Sequence, residues 1–161
     1  MRSNNYDRIS AKNYATFWAL KRNPKYYNFD RLGGDCTNFV SQCIFAGAPI
    51  MNYTPTLGWF YNSLSSRSPA WSGVNELFNF LTKNNGLGPY GKVISVHELE
   101  VGDVVQLGKN ENDFYHALIV SQVINGRVFV CSHTRDALNI PLENYSANHM
   151  RQIKILGYKT K

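Results

Sequence analysis

The chain is poor in cysteine and has no paired cysteine motif. Cys36, Cys43 and Cys131 are odd in number and form no C-x-x-C step. That excludes a disulfide framework or a zinc ribbon as the organising device and makes reduced thiols the default. No run approaches the roughly 20 apolar residues that a membrane span needs. Residues 1–23, MRSNNYDRISAKNYATFWALKRN, hold no uninterrupted apolar stretch and no small-residue cleavage site. They do not read as a signal peptide, so the expectation is a cytoplasmic chain, or one exported by a signal that it does not carry. GxGxxG, Walker-A and GxSxG patterns are also missing, which leaves no case for nucleotide binding or a serine hydrolase. Without an RNP, zinc-finger or helix-turn-helix pattern, no nucleic-acid partner is expected. There is no internal repeat, linker or low-complexity tract.

What is present is a chain of 161 residues, 43% hydrophobic and 14% aromatic. This composition excludes disorder and suits one domain, residues 1–161, with a real core. The net charge of +6 is uneven: residues 1–32 carry seven Lys/Arg against two Asp, and residues 151–161 carry four basic residues and no acid. If these ends meet in space they form a basic face. Such a face is either a solvated surface or one that attracts a polyanion such as cell-wall polymer or nucleic acid, the latter unsupported by any motif.

Helical patterns come first. Ser10 is placed to cap a helix running to about Arg22, ended by Asn23-Pro24. A second helix starts near Cys36 and stops around Gly47 and Pro49, with Cys36, Phe39, Val40, Cys43, Ile44 and Gly47 on one inward stripe. A long aromatic connection, 49–71, is followed by a third helix near 73–84. The second half turns to strand patterns: GKVISV, DVVQLG, YHALIVSQVI, RVFVCSH and QIKILGYK. Helices first and strands afterwards predict an α+β domain, with the helices packed on an antiparallel sheet.

The chemistry centres on RLGGDCTNFVSQCIFAGAP. Cys36 at the mouth of a helix meets unpaired N–H groups and the helix dipole, which favour a thiolate. Cys36 and the preceding Asp35 thus mark the helix start, and the Cys36 N–H is a ready oxyanion donor. Asn125-Gly126 is a type I′ hairpin signal between two strands. If the loop is those two residues, Leu118 faces His133, and His116 shares that face, roughly 7–8 Å away on the diagonal. The expectation is therefore Cys36 as nucleophile, His116 as base and His133 as the group that orients the base. A one-residue slip would put the two imidazoles on opposite faces.

Blander readings stand beside this one: Cys36 as a packed core thiol, His116 as an ordinary strand histidine, and His133 bonded within the turn SHTRD to Thr134 or Asp136. Cys43 and Cys131 should pack. C-x6-C along a helix is poor zinc spacing, so no metal and no cofactor is expected. Trp59 and nearby aromatics are candidates for a cleft wall. His97 and His149 sit in polar segments, and turn chemistry explains Asp103 after Gly102.

With YDRISAKNYA before GGDCTNFVSQC and HALIVSQV…HT after it, the chain resembles the bacterial "Putative amidase domain" family, itself similar to the NlpC and CHAP branches of papain-like cysteine peptidases. The resemblance runs from Tyr6 to about Tyr158. It implies a papain-like, NlpC-like fold, with Cys36 matching the nucleophile, His116 the base, His133 the orienting residue and Asp35 the acid of the motif. The activity it implies is thiol-dependent amide hydrolysis of a peptide or peptidoglycan-like substrate. The alternatives are acyl transfer or deamidation at the same Cys-His-His site, or a non-catalytic module binding wall polymer or protein. Residue types do not set the oligomeric state.

Overall fold

A computed structural model describes all residues, Met1–Lys161. The elements follow in chain order: β1 (Arg2–Asn4), α1 (Arg8–Trp18), α2 (Cys36–Gly47), β2 (Tyr61–Ser63), β3 (Ser66–Arg67), α3 (Pro69–Ser72), α4 (Val74–Lys83), β4 (Gly88–Ile94), β5 (Val104–Asn110), β6 (Asp113–Ile124), β7 (Arg127–Ser132), β8 (Ala137–Pro141) and β9 (His149–Thr160). The architecture is α+β, with an antiparallel sheet of order β9-β5-β6-β7-β8 and both β1 and β4 paired to β9. No helix is long and apolar enough to cross a membrane. The two basic ends do meet, because Arg2 pairs with Thr160 and Ser3 with Lys159.

Alternation along the strands gives the sheet two apolar faces. Val104, Ala117, Ile119, Cys131, Ile153 and Ile155 face the helices and complete the larger core. Val105, Leu107, Leu118, Val120 and Val130 face the other way, where Ile94, Leu99, Leu142 and Tyr145 cover them. Helix α2 lies between α1 and β6. Ten of its residues are buried, all but Phe45 and Ala46. The inward stripe therefore extends almost around the helix, as expected of a central element.

Helix α1 begins three residues earlier than the Ser10 cap predicts. Asp7 is the cap, accepting from the Ser10 amide at 3.0 Å and the Ser10 hydroxyl at 2.7 Å. It also ends early, at Trp18, whose carbonyl accepts from Lys21 N and from His133 Nε2 instead of continuing the helical ladder. Arg8 then ties α1 to the sheet: it donates to fully buried Asp103 at 2.8 Å and to the carbonyls of Val101 and Ile155. Asp103 still serves its turn, accepting the Glu100 amide.

Candidate active site

The chain approaches α2 through Gly33 and Gly34, both left-handed at φ +83 and +98. Gly34 suits its left-handed backbone, and a Cβ there would crowd Thr134 Oγ1 at 3.2 Å. Asp35 follows as the flanking residue of α2, but its carboxylate caps no backbone amide of the helix. Oδ1 accepts from Phe29 N and from Asn38 Nδ2, each at 2.9 Å. Oδ2 meets His133 Nδ1 at 2.5 Å, with Arg22 Nε at 3.6 Å. The Asp35 amide in turn donates to Thr134 Oγ1 at 2.8 Å. Asp35 anchors the helix start by pulling four separate segments onto one carboxylate.

Cys36 opens α2 with 7% of its surface exposed. Neither Cys36 nor Thr37 finds a backbone acceptor for its N–H, as the first turn of a helix requires. The sulfur lies 3.8 Å from the Thr37 hydroxyl and faces the backbone amide of Ala117. These donors favour the thiolate, yet burial outweighs them and the thiol is pushed above its ordinary range. Burial of the sulfur therefore works against the thiolate that a helix mouth favours. Cys43 and Cys131 are also buried and also raised, Cys43 most strongly.

The hairpin forms with the predicted turn. Ile124 pairs with Arg127, Val123 with Val128 and Gln122 with Phe129. Ser121 then bulges, and pairing resumes one residue out of register at Val120↔Val130 and Ile119↔Cys131. That slip separates the two histidines. His133 projects to the helix side, where it is 1% exposed and stacks on Phe39 with ring centroids 3.9 Å apart. Its Nε2 donates to the Trp18 carbonyl at 2.8 Å while Nδ1 is taken by Asp35. With both nitrogens engaged, His133 does not orient His116, and that predicted role is corrected. The SHTRD alternative fails as well, since Asp136 is held by Arg22.

His116 faces the opposite side of the sheet. It lines a cavity of about 700 Å³ together with Leu107, Thr134, Arg135, Tyr145 and Ser146. The ring is half-buried, with Tyr145 6.4 Å away between centroids. Burial and the positive charge of Arg135 push its pKa down to about 4, so the imidazole is neutral at pH 7. No hydrogen bond joins it to Cys36, whose sulfur contacts the Thr37 hydroxyl instead. His116 is joined to the thiol only through the backbone, as the residue before Ala117, whose amide faces the sulfur. A second irregularity, between Leu107↔His116 and Gly108↔Phe114, flanks the histidine, and such bulges re-aim side chains.

Trp59 is not a cleft residue. It is fully buried, donates from Nε1 to Ser41 Oγ at 3.0 Å, and packs on Trp71 and Phe80. The cavity residues that sequence reasoning missed are Thr134, Arg135, Leu107, Tyr115, Asn144, Tyr145 and Ser146. Only the polar turn after His133 hinted at the first two; nothing local marks the others.

The curated relatives that the chain matches carry no assigned activity. "Uncharacterized protein YhbB" of Bacillus subtilis (strain 168) is 36% identical over 118 residues, 71% of this chain and 37% of the relative. "Uncharacterized protein YjcM" of the same organism is 29% identical over 147 residues, 86% of this chain and 33% of the relative. The chain thus spans about a third of the length of these relatives. No solved structure matches it. The family model described as "Putative amidase domain" matches residues 5–156, and with nearly the whole chain covered, the chain belongs to that amidase family.

Proposed function

We propose that the protein hydrolyses amide bonds with Cys36 as nucleophile and His116 as general base, in the manner of NlpC- and CHAP-type cysteine peptidases, and that a cell-wall peptide is its substrate. The observation that carries this reading is the placement of Cys36: a thiol at the first position of a buried helix, beside unpaired N–H groups and next to the strand residue that follows His116.

The resting pair is a neutral thiol and a neutral imidazole, not an ion pair, because burial raises one pKa and lowers the other. Catalysis then needs the His116 ring to turn from its cavity toward the sulfur as substrate enters. His116 takes the Cys36 proton while Sγ attacks the carbonyl carbon. The carbonyl oxygen becomes an oxyanion facing the N–H groups at the helix start. Collapse breaks the C–N bond, the amine leaves with the proton from His116, and a thioester remains. His116 next draws a proton from water; the hydroxide adds, and the carboxylic acid departs as the thiol is re-formed. His133 and Asp35 act at a distance, holding the helix start where the sulfur is needed.

The test is turnover of purified peptidoglycan fragments followed by mass spectrometry. Wild-type protein should add one water per cut amide; Cys36→Ala should lose turnover and keep its circular dichroism spectrum. Aminolysis products or side-chain glutamate in place of cut amides would redirect the same nucleophile to acyl transfer or deamidation. Full activity in Cys36→Ala would refute thiol catalysis.

A further inference from the structure

The cavity in front of His116 carries charge of one sign. Eight residues line it and none is Asp or Glu. Arg135 sits at its exposed mouth with no ion-pair or hydrogen-bond partner for its guanidinium, whereas Arg8, Arg22 and Arg127 are all held by carboxylates. The neighbouring acid, Asp136, is consumed by Arg22 at 2.8 Å and cannot neutralise Arg135.

The backbone that presents this arginine is held in an unusual shape. Thr134 and Arg135 adopt φ of 59 and 62, left-handed values disfavoured for side chains with a Cβ, and most of all for β-branched threonine. The strain is maintained from the candidate site itself, because Thr134 Oγ1 accepts the Asp35 amide immediately before Cys36. The turn is therefore registered to the thiol helix while its arginine faces the histidine cavity. Neutral hydrogen-bonding groups complete the wall: Asn144, Tyr145 and Ser146.

We infer that this cavity is a carboxylate-binding subsite, with Arg135 as the specificity residue that selects amide substrates bearing a free carboxylate near the scissile bond. A guanidinium suits the role because its planar fork takes a carboxylate through two parallel charge-assisted hydrogen bonds. The substrate part of the inference rests on the amidase reading; carboxylate binding does not.

The experiment is an NMR titration of the full chain carrying Cys36→Ser, so that no turnover occurs, observing the His116 ring protons. Three probes are compared: N-acetyl-dialanine, its C-terminal amide, and sodium acetate. The acid dipeptide should shift the His116 resonances saturably and bind about tenfold or more tighter than the amide, the scale of a charge-assisted pair. It should also bind tighter than acetate. Arg135→Gln should bring acid and amide to within about twofold. If Arg135→Gln loses the native spectrum, Arg135→Lys serves, and the preference must shrink but persist, since the charge remains without the fork. Equal binding of acid and amide, or a preference that survives Arg135→Gln, overturns the subsite. Acetate binding as tightly as the acid dipeptide overturns the substrate role. Because no cleavage is read, a protein that binds the carboxylate yet never hydrolyses an amide refutes the amidase reading alone. Turnover without any carboxylate preference refutes this inference alone.

Discussion

Lowering the pH should destabilise the wild-type protein more than the His116→Gln variant, and only within one window. The His116 ring is pushed from 6.5 down to about 4, first by burial and second by the charge of Arg135. Above pH 6.5 the ring is neutral in folded and unfolded chains alike and contributes no pH dependence. Between pH 6.5 and 4 the unfolded chain takes up a proton that the folded chain refuses, so stability falls as the pH falls. Below 4 both forms are protonated and the loss levels off. At about 1.4 kcal/mol per pH unit, a shift of this size corresponds to about 3 kcal/mol at most, reduced by solvent screening at the cavity mouth. Urea melts at half-unit steps from pH 3.5 to 7.5 measure the effect as the difference between the two proteins. The carboxylates and the other three histidines are common to both and cancel. The same ring sets the acid limb of kcat/KM in the proposed mechanism, which should fall near pH 4 and not near 6.5. A stability difference independent of pH, or a His116 ring that titrates between 6 and 7 by NMR, would refute the reasoning.

Asp35→Ala should cost about 3–5 kcal/mol in urea melts, because it strands His133 in a buried site together with the Phe29 amide and the Asn38 side chain; a loss under 1 kcal/mol would show that the carboxylate does not hold the helix start. Trp59→Ala should also cost about 3–5 kcal/mol, as expected for emptying a fully buried aromatic site, while leaving KM unchanged once the variant is folded. A raised KM with full stability would return Trp59 to the cleft.

The parts of the fold that a local pattern specifies were legible. Helix α2 starts at Cys36 and stops at Gly47, where the stripe and the following proline place it. The hairpin turns at Asn125-Gly126, both left-handed, because asparagine and glycine tolerate that conformation. Strands β5, β6, β7 and β9 fall on the β-branched runs. The short strands β1 and β8 were not legible, since three or five residues carry too little alternation to stand out. Trp59 was misplaced for a similar reason: a tryptophan in a loop says nothing about which way the loop folds, and here it folds inward onto Ser41. The desolvation of the Cys36 thiol was not legible, because burial belongs to the assembled structure, whereas the helix dipole can be read from a helix start alone.

The decisive illegible feature is the bulge at Ser121. Serine carries no bulge signature, and its neighbours alternate as a regular strand would, yet one extra residue reverses every side chain beyond it. Without the bulge, His116 and His133 would share one face of the sheet. With it, they are divided between two tasks. His133 joins Asp35 and the Trp18 carbonyl in the helix layer, fixing the cysteine's helix against α1. His116 turns to the far face, where burial, helped by the charge of Arg135, keeps it neutral and where the approach is open to a ligand. In the proposed mechanism this division keeps thiol and base apart until a substrate draws them together. A buried cysteine with a raised pKa is a poor nucleophile toward stray electrophiles, so the separation protects the thiol at rest. The cost of that protection is a conformational step, and a His116 ring that never leaves its cavity when substrate binds would leave the sulfur without a base.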